Sequence, residues 1–414
     1  MPNTRPRLNW KTVAMFLAIL GPGIITANAD NDAGGIATYS LAGSQYGYSM
    51  LWTLIPITIA LIVVQEMCAR MGAITGKGLS DLIRENFGLR VTVYVLLGLL
   101  VANLGNTVAE FSGIAQSMEI FGISKYVSVP LGALFVWFII VRGSYRKVEK
   151  FFLTACFFYI TYLFSGYLAH PPWGEVLKET VVPTMHWNPG YLAMLIGVVG
   201  TTIAPWMQFY MQSAVVEKRV KPEQYALSKW DVIVGCIITD VVAFFIIVCC
   251  GATVFVHHVN VADAKDVAVA LQPLAGKWAQ ALFAFGLFNA SLFTASILPL
   301  ATAYQICEGM GWEAGIGRTF KEAPWFLGLY TALIGLGAGI VLIPRAPLFK
   351  IMFWSQVVNG VLLAPVLIFM LILINKKRIM GAYVNGTFYN WLSWVTVAVM
   401  IVLTVAMLVT QVMT

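Results

Sequence analysis

Apolar residues run along this chain in stretches of about twenty, the length a helix needs to cross the hydrocarbon core of a bilayer, and short polar or charged segments separate them. The pattern predicts about eleven spans, at roughly 14–43, 48–72, 91–121, 126–142, 150–169, 190–214, 230–256, 276–308, 325–344, 350–375 and 388–411. The longest of these must tilt, break or emerge from the membrane. The longer connections, about 170–189 and 309–324, lack the apolar periodicity of a separate core. The expected architecture is an all-α polytopic membrane protein in which residues 1–414 form a single transmembrane domain.

Two spans are interrupted near their middles. In the first, Gly21 to Gly35 reads GPGIITANADNDAGG, so Gly34 and Gly35 follow two aspartates; in the sixth, Pro205 interrupts GTTIAPWMQ. Glycine lets a chain leave helical geometry, and proline removes a donor and clashes with the preceding turn, so carbonyl oxygens are freed at membrane depth. Breaks at matching places five spans apart point to an inverted repeat with a binding site where the breaks meet. The expected division is 1–170 for the first repeat, 188–375 for the second, and 388–411 for a peripheral eleventh helix.

Charge sets the orientation. Of 26 Lys and Arg residues, 20 fall in the segments before the first span and after the second, fourth, sixth, eighth and tenth. Basic short loops stay in the cytoplasm, so the N-terminus is expected there and the C-terminus on the far side of a cell (inner) membrane. This asymmetry accounts for the net charge of +7 without a nucleic-acid partner. The first apolar stretch runs into the Gly/Asp segment with no small-residue cleavage site, and is expected to stay as a span. Six cysteines lie in or beside spans without metal-ligand spacing and read as packing residues.

A charged aspartate inside a span costs at least about 2.5 kcal/mol and normally has a partner or a task. Asp32 is the leading cation ligand, because the span interiors offer almost no basic partner; Asp30, two positions earlier, would face the opposite side of a helix. Glu110 in NTVAEFSG fits either a water-filled pathway or a structural hydrogen bond. Gln356 and Asn359 in SQVVNGVLL share a helix face, and their amide oxygens suit a hard cation or an interhelical bond equally. Trp206 reads as packing, and Glu66 and Asp240 lack a nearby basic partner. There is no Walker A loop, HExxH or GxSxG elbow, which argues against an enzyme, and no cofactor or obligate protein partner is expected.

The segment GPGIITANADNDAGGIATYSLAGSQYGYSMLW resembles the first span of the NRAMP divalent-metal transporters, with further likeness in VAE of span three, the sixth-span proline followed by QSAVV, and SQVV of span ten. The resemblance implies a LeuT-type fold of two inverted five-helix repeats, with a metal site between broken helices 1 and 6. It carries over to Asp32 as the charged ligand, Ala29 and Thr201 through backbone carbonyls, and Gln356 through its side chain. Departures follow the same alignment. The family's DPGN reads Asp32, Ala33, Gly34, Gly35; the sixth-span methionine falls on Ala204 and the histidine beyond it on Trp206; the acid preceding Glu110 falls on Thr107. Gly35 and Ala204 are then expected to line an enlarged cavity, with Glu110, Asn359, Trp206 and Thr107 in the pathway or around the ligands.

Soft donors favour late transition metals, whereas Mg²⁺ takes oxygen and gives up water reluctantly. Loss of thioether and imidazole therefore resembles the NRAMP-related magnesium transporters. The expected function is import of partly hydrated Mg²⁺, with Mn²⁺ also accepted, by alternating access without obligatory proton coupling. The alternatives are a proton-coupled Mn²⁺/Fe²⁺ transporter and, more distantly, a sodium-coupled organic-solute carrier. The orientation is testable with cysteines introduced at Lys178 and Lys377: a membrane-impermeant maleimide added to intact cells should label position 178 and reach position 377 only after permeabilisation. The reverse result contradicts the assignment.

Overall fold

The first span is built as two helices. The structure, a computed structural model, describes residues 21–143, 145–258, 261 and 264–413. The start of the first expected span, with Arg5, Arg7 and Lys11 before it, lies outside the described residues. Helix α1 (Pro22–Asn28) begins with proline at its first turn, where the missing N–H is no loss. Four residues later the chain restarts as α2 (Ala33–Tyr46).

The helices that follow are α3 (Leu54–Thr75), α4 (Leu79–Ile120), α5 (Lys125–Arg142), α6 (Tyr145–Phe157), α7 (Ile160–Leu168), α8 (Trp173–Val181), α9 (Pro189–Thr202) and α10 (Pro205–Glu217). Then come α11 (Tyr225–Cys250), α12 (Ala264–Met310), α13 (Pro324–Val341), α14 (Leu348–Ile374), α15 (Lys377–Met380) and α16 (Thr387–Met413). Among the described residues ten helical stretches are long and apolar enough to cross a membrane. The divided first span, α1 with α2, makes eleven. The largest departures from the expected boundaries are at two starts: α12 begins at Ala264 rather than about 276, and α4 at Leu79 rather than about 91. Within α4, Gly88 takes φ 81°, a conformation glycine alone adopts freely, and separates a polar first stretch from the apolar part.

The sixth span lies at the centre. Nearly every residue from Tyr191 to Val215 is buried, in keeping with a segment apolar all round. By contrast α16 exposes Phe388, Trp391 and Val402, as a helix at the lipid boundary does.

Backbones touch where glycines permit it. A Cβ on Gly23 in α1 would fall 2.6 Å from Val232 N in α11, and one on Gly235 would fall 2.7 Å from Gly23 O. At this contact the Asp231 carboxylate accepts from the N–H groups of Gly21 (3.2 Å), Gly23 (2.7 Å) and Ile24 (3.3 Å). A carboxylate from α11 thus satisfies the free donors at the start of α1. Farther along, Thr239 Oγ1 donates to Ala27 O and Asn31 Nδ2 donates to Thr239 O at 3.1 Å. Helix α11 therefore grips α1 at both ends.

One sequence expectation is corrected. Glu66 does have a basic partner, since Arg70 Nη2 lies 3.2 Å from its Oε2 one helical turn away, with both side chains buried. Arg70 also donates to Asn385 Oδ1 and to the carbonyl of Tyr383, which ties α3 to the segment leading into α16. The i, i+4 spacing carried that pairing in the sequence. The six cysteines are free thiols, five of them buried.

Helices α9 and α14 approach as closely as α1 and α11. A Cβ on Gly360 would lie 2.5 Å from Ile196 O and 2.7 Å from Ile196 Cγ2. Gly360→Val should therefore cost about 1 to 3 kcal/mol of stability through overpacking, read as a lower melting midpoint in detergent. An unchanged midpoint would mean that the contact is not tight.

Candidate functional site

The two interruptions free backbone groups in different ways. At the end of α1, the N–H of Ala33, which would close the next helical bond onto Ala29 O, donates instead to Glu110 Oε2 at 3.2 Å. The Ala29 carbonyl is left with a long 3.4 Å contact from Thr294 Oγ1. In the sixth span, the helical partner of Thr201 O is the nitrogen of Pro205, which has no hydrogen to give. Helix α9 ends at Ile203, whose φ −126° and ψ 57° leave helical geometry, and α10 starts after Ala204.

Asp32 stands at the restart of the first span. It is the N-cap of α2, extended at φ −75° and ψ −178°, and its Oδ1 accepts from Gly35 N at 2.5 Å. Capping by aspartate satisfies a donor that has no helical acceptor. The side chain is 2% exposed and has no ion-pair partner among the described residues. It meets the Glu110 carboxyl and the Gln356 amide, side chain to side chain.

Glu110, contributed by α4, is fully buried; Oε2 takes the Ala33 N–H, while Oε1 has no donor in the structure. Two carboxyl groups in contact cannot both carry an uncompensated charge, so a proton or a cation belongs between them. Gln356, on α14, presses its amide against Gly34; the Cδ atom would lie 2.7 Å from a Cβ there. Asn359 is one turn away and donates to Gln356 Oε1 at 2.8 Å.

The space at Gly35 is occupied. A Cβ there would fall 2.6 Å from Asp30 O, 2.9 Å from Thr201 Oγ1 and 3.2 Å from Asp32 Oδ1. In this conformation the absent side chain brings three oxygens together around Gly35 and leaves no open volume at that position. Thr201 is 1% exposed and its hydroxyl has no partner, so it can add a donor beside its carbonyl. The structure thus brings Asp32, Glu110, Gln356, Thr201 and Gly35 to one place, with Ala29 at the end of α1.

The other residues singled out in the sequence lie around this group or away from it. Ala204 is the buried N-cap of α10, and its carbonyl takes the Met207 N–H at 3.1 Å. Trp206 is 1% exposed, lies with its ring 6.3 Å from that of Tyr210 at a tilt of 52°, and leaves its indole N–H without an acceptor. The Thr107 hydroxyl turns back to Asn103 O at 2.8 Å, a bond within its own helix. Asp30 turns its carbonyl toward Gly35, and its buried carboxyl has no hydrogen-bond donor. Sequence reasoning missed Asn106, which pairs with Asn359, and Asp231, whose capping role depends on a contact across more than two hundred residues.

Among the described residues no three His, Cys, Asp or Glu side chains gather as a metal cluster. The donors available are one or two carboxylates, backbone carbonyls, a hydroxyl and an amide. Their oxygens are hard donors, of the kind divalent cations such as Mg²⁺ and Mn²⁺ accept. Asp32→Asn keeps a capping oxygen and removes the charge. It should melt within about 1 kcal/mol of the parent and bind divalent cations at least about tenfold more weakly by calorimetry. Undiminished binding would remove Asp32 from the site.

Comparison with known proteins places this geometry. The family described as natural resistance-associated macrophage protein-like matches residues 23–410. The divalent metal cation transporter MntH of Klebsiella pneumoniae is 25% identical over 393 residues, covering 93% of this chain and 92% of the relative. A crystal structure of the Eremococcus coleocola manganese transporter superposes with a TM-score of 0.78 at 20% identity, covering 98% of this chain and 88% of the other. A Na⁺-coupled sialic acid symporter in a substrate-bound outward-open state superposes at 0.54 and 10% identity, covering 94% of each chain. These two likenesses show the fold, a LeuT-type bundle with interrupted first and sixth spans, and the match over nearly the whole sequence shows the family: this chain belongs to the Nramp family of divalent metal transporters.

Proposed function

We propose that the chain imports Mg²⁺, with Mn²⁺ also accepted, by alternating access around Asp32, as a member of the magnesium-transporting branch of its family. The observation that carries the reading is the donor set. The acceptors beside Asp32 are oxygens, namely its own carboxylate, that of Glu110 and the unpartnered Thr201 hydroxyl, and the breaks leave the Ala29 and Thr201 carbonyls without a helical donor. Ala204 and Gly35 stand where the family resemblance puts a thioether and an amide. Without a soft ligand nothing favours a late transition metal, and a hard ion can keep part of its hydration shell.

The reading uses each residue for one task. Asp32 supplies the charge, the carbonyls of Ala29 and Thr201 replace waters, and Gln356 completes the shell from α14. Residues 1–170 and 188–375 are the two inverted repeats on this reading, with 388–411 the peripheral eleventh helix, the N-terminus cytoplasmic and the C-terminus extracytoplasmic. The driving force is the membrane potential, which favours entry of a divalent ion by about 4.6 kcal/mol at 100 mV, so a proton gradient is not required.

A second reading is favoured by one observation. Glu110 Oε2 takes the N–H of Ala33, next to Asp32 in the chain, and two carboxyls so close and so buried favour a shared proton that an arriving cation can replace. If Glu110 then releases it along the path, the protein is a proton-coupled Mn²⁺/Fe²⁺ transporter, in keeping with the manganese cargo of the Eremococcus coleocola transporter. Liposomes loaded with magnesium and pH indicators separate the two. The leading reading predicts Mg²⁺ entry that grows with an inside-negative potential and leaves internal pH unchanged. Mn²⁺ entry with obligatory acidification, and no response to Mg²⁺, sinks it in favour of the second.

A further inference from the structure

Gln356 does not reach its neighbours alone. Asn106 on α4 and Asn359 on α14 exchange both amide bonds: Asn106 Nδ2 donates to Asn359 Oδ1 at 3.0 Å, and Asn359 Nδ2 donates to Asn106 Oδ1 at 3.2 Å. Asn359 Nδ2 donates a second time, to Gln356 Oε1 at 2.8 Å. All three side chains are at most 1% exposed. With its oxygen held by Asn359, Gln356 turns its nitrogen inward, toward Gly34, Ser355 Oγ at 3.4 Å and the Asp32 carboxylate. An amide N–H can hold a bare carboxylate but cannot ligate a cation, which needs the oxygen.

We propose that Asn106, Asn359 and Gln356 form an amide relay that inverts as a unit when a divalent cation arrives at Asp32, so that Asn106, which touches no ion, sets the affinity of the site. The proposal rests on the ion site described above. If Gln356 turned over alone, its nitrogen would face Asn359 Nδ2, donor against donor in a buried space, where an unmet polar group is costly. If all three amides turn, Gln356 Nε2 donates to Asn359 Oδ1, and the Asn106–Asn359 exchange is restored with each bond reversed. The three bonds among the amides exist before and after, on the same heavy-atom positions, and the inversion gives up only the long 3.4 Å bond from Gln356 Nε2 to Ser355 Oγ. The terminal amide torsion is broad, so rotation itself meets little resistance. The inward atom of Gln356 therefore changes from donor to acceptor with every bond among the amides kept, and only if its two partners change with it.

Asn106 is on this account a positioning residue, and a structural role alone would not make its effect depend on Gln356. The test is a double-mutant cycle on reconstituted full-length protein, reading KM and kcat for Mg²⁺ flux with Mg²⁺ as the probe. Asn106→Leu should raise KM about threefold or more with kcat unchanged, and should add nothing in a Gln356→Leu background. Asn359→Leu, the second variant if Asn106→Leu does not purify as a folded monodisperse protein, should behave in the same way with a larger effect. Additive effects on KM, or an unchanged KM in Asn106→Leu, overturn the relay while leaving the ion site standing. An unchanged KM in Gln356→Leu alone overturns the site reading and the relay together.

Discussion

The hydrogen bond from Gly35 N to the Asp32 carboxylate is the interaction on which the rest of the structure depends. A helix that stops and restarts at membrane depth leaves donors and acceptors with no water to satisfy them. Asp32 meets the donors of the second half and keeps a second oxygen for other use. The same residue therefore makes the break tolerable and supplies the charge of the proposed site. Nothing but glycine fits at position 35, where the Asp30 carbonyl and the Thr201 hydroxyl close in on the same bond.

The other groups at the break are satisfied from distant parts of the chain, which fixes the geometry around the carboxylate. Asp231 caps the first half, Thr239 takes the Ala27 carbonyl, and Glu110 takes the Ala33 N–H. Each of these partners is buried and sits well inside a long helical stretch, α11 or the part of α4 beyond Gly88. Rigid neighbours thus hold an irregular segment around Asp32. In the sixth span a proline achieves the same release with one residue, by having no hydrogen to give to Thr201.

Much of this was legible in the sequence, for physical reasons that differ from part to part. The spans were visible because the bilayer demands long apolar runs, and the breaks because Gly34, Gly35 and Pro205 interrupt them. Asp32 was visible as a charge that a span does not otherwise tolerate. Asn106 was not, because a lone asparagine in an apolar helix has no periodicity to mark it, and its meaning lies in Asn359, more than two hundred residues away. The Gly35 position also needed coordinates: the sequence shows a missing side chain, while the structure shows what fills its place. Glu66 and Arg70 were legible but went unread, since their spacing alone puts them on one helix face.

The central claim is that a hard divalent cation sits where the two breaks meet. Anomalous diffraction from crystals soaked in Mn²⁺ tests it most directly. The account predicts a single strong peak at ligand distance, about 2.2 Å, from the Asp32 carboxylate, with the carbonyls of Ala29 and Thr201 and the oxygen of Gln356 completing the shell. A peak seated instead between Asp30 and Asp240, with none at Asp32, would contradict it.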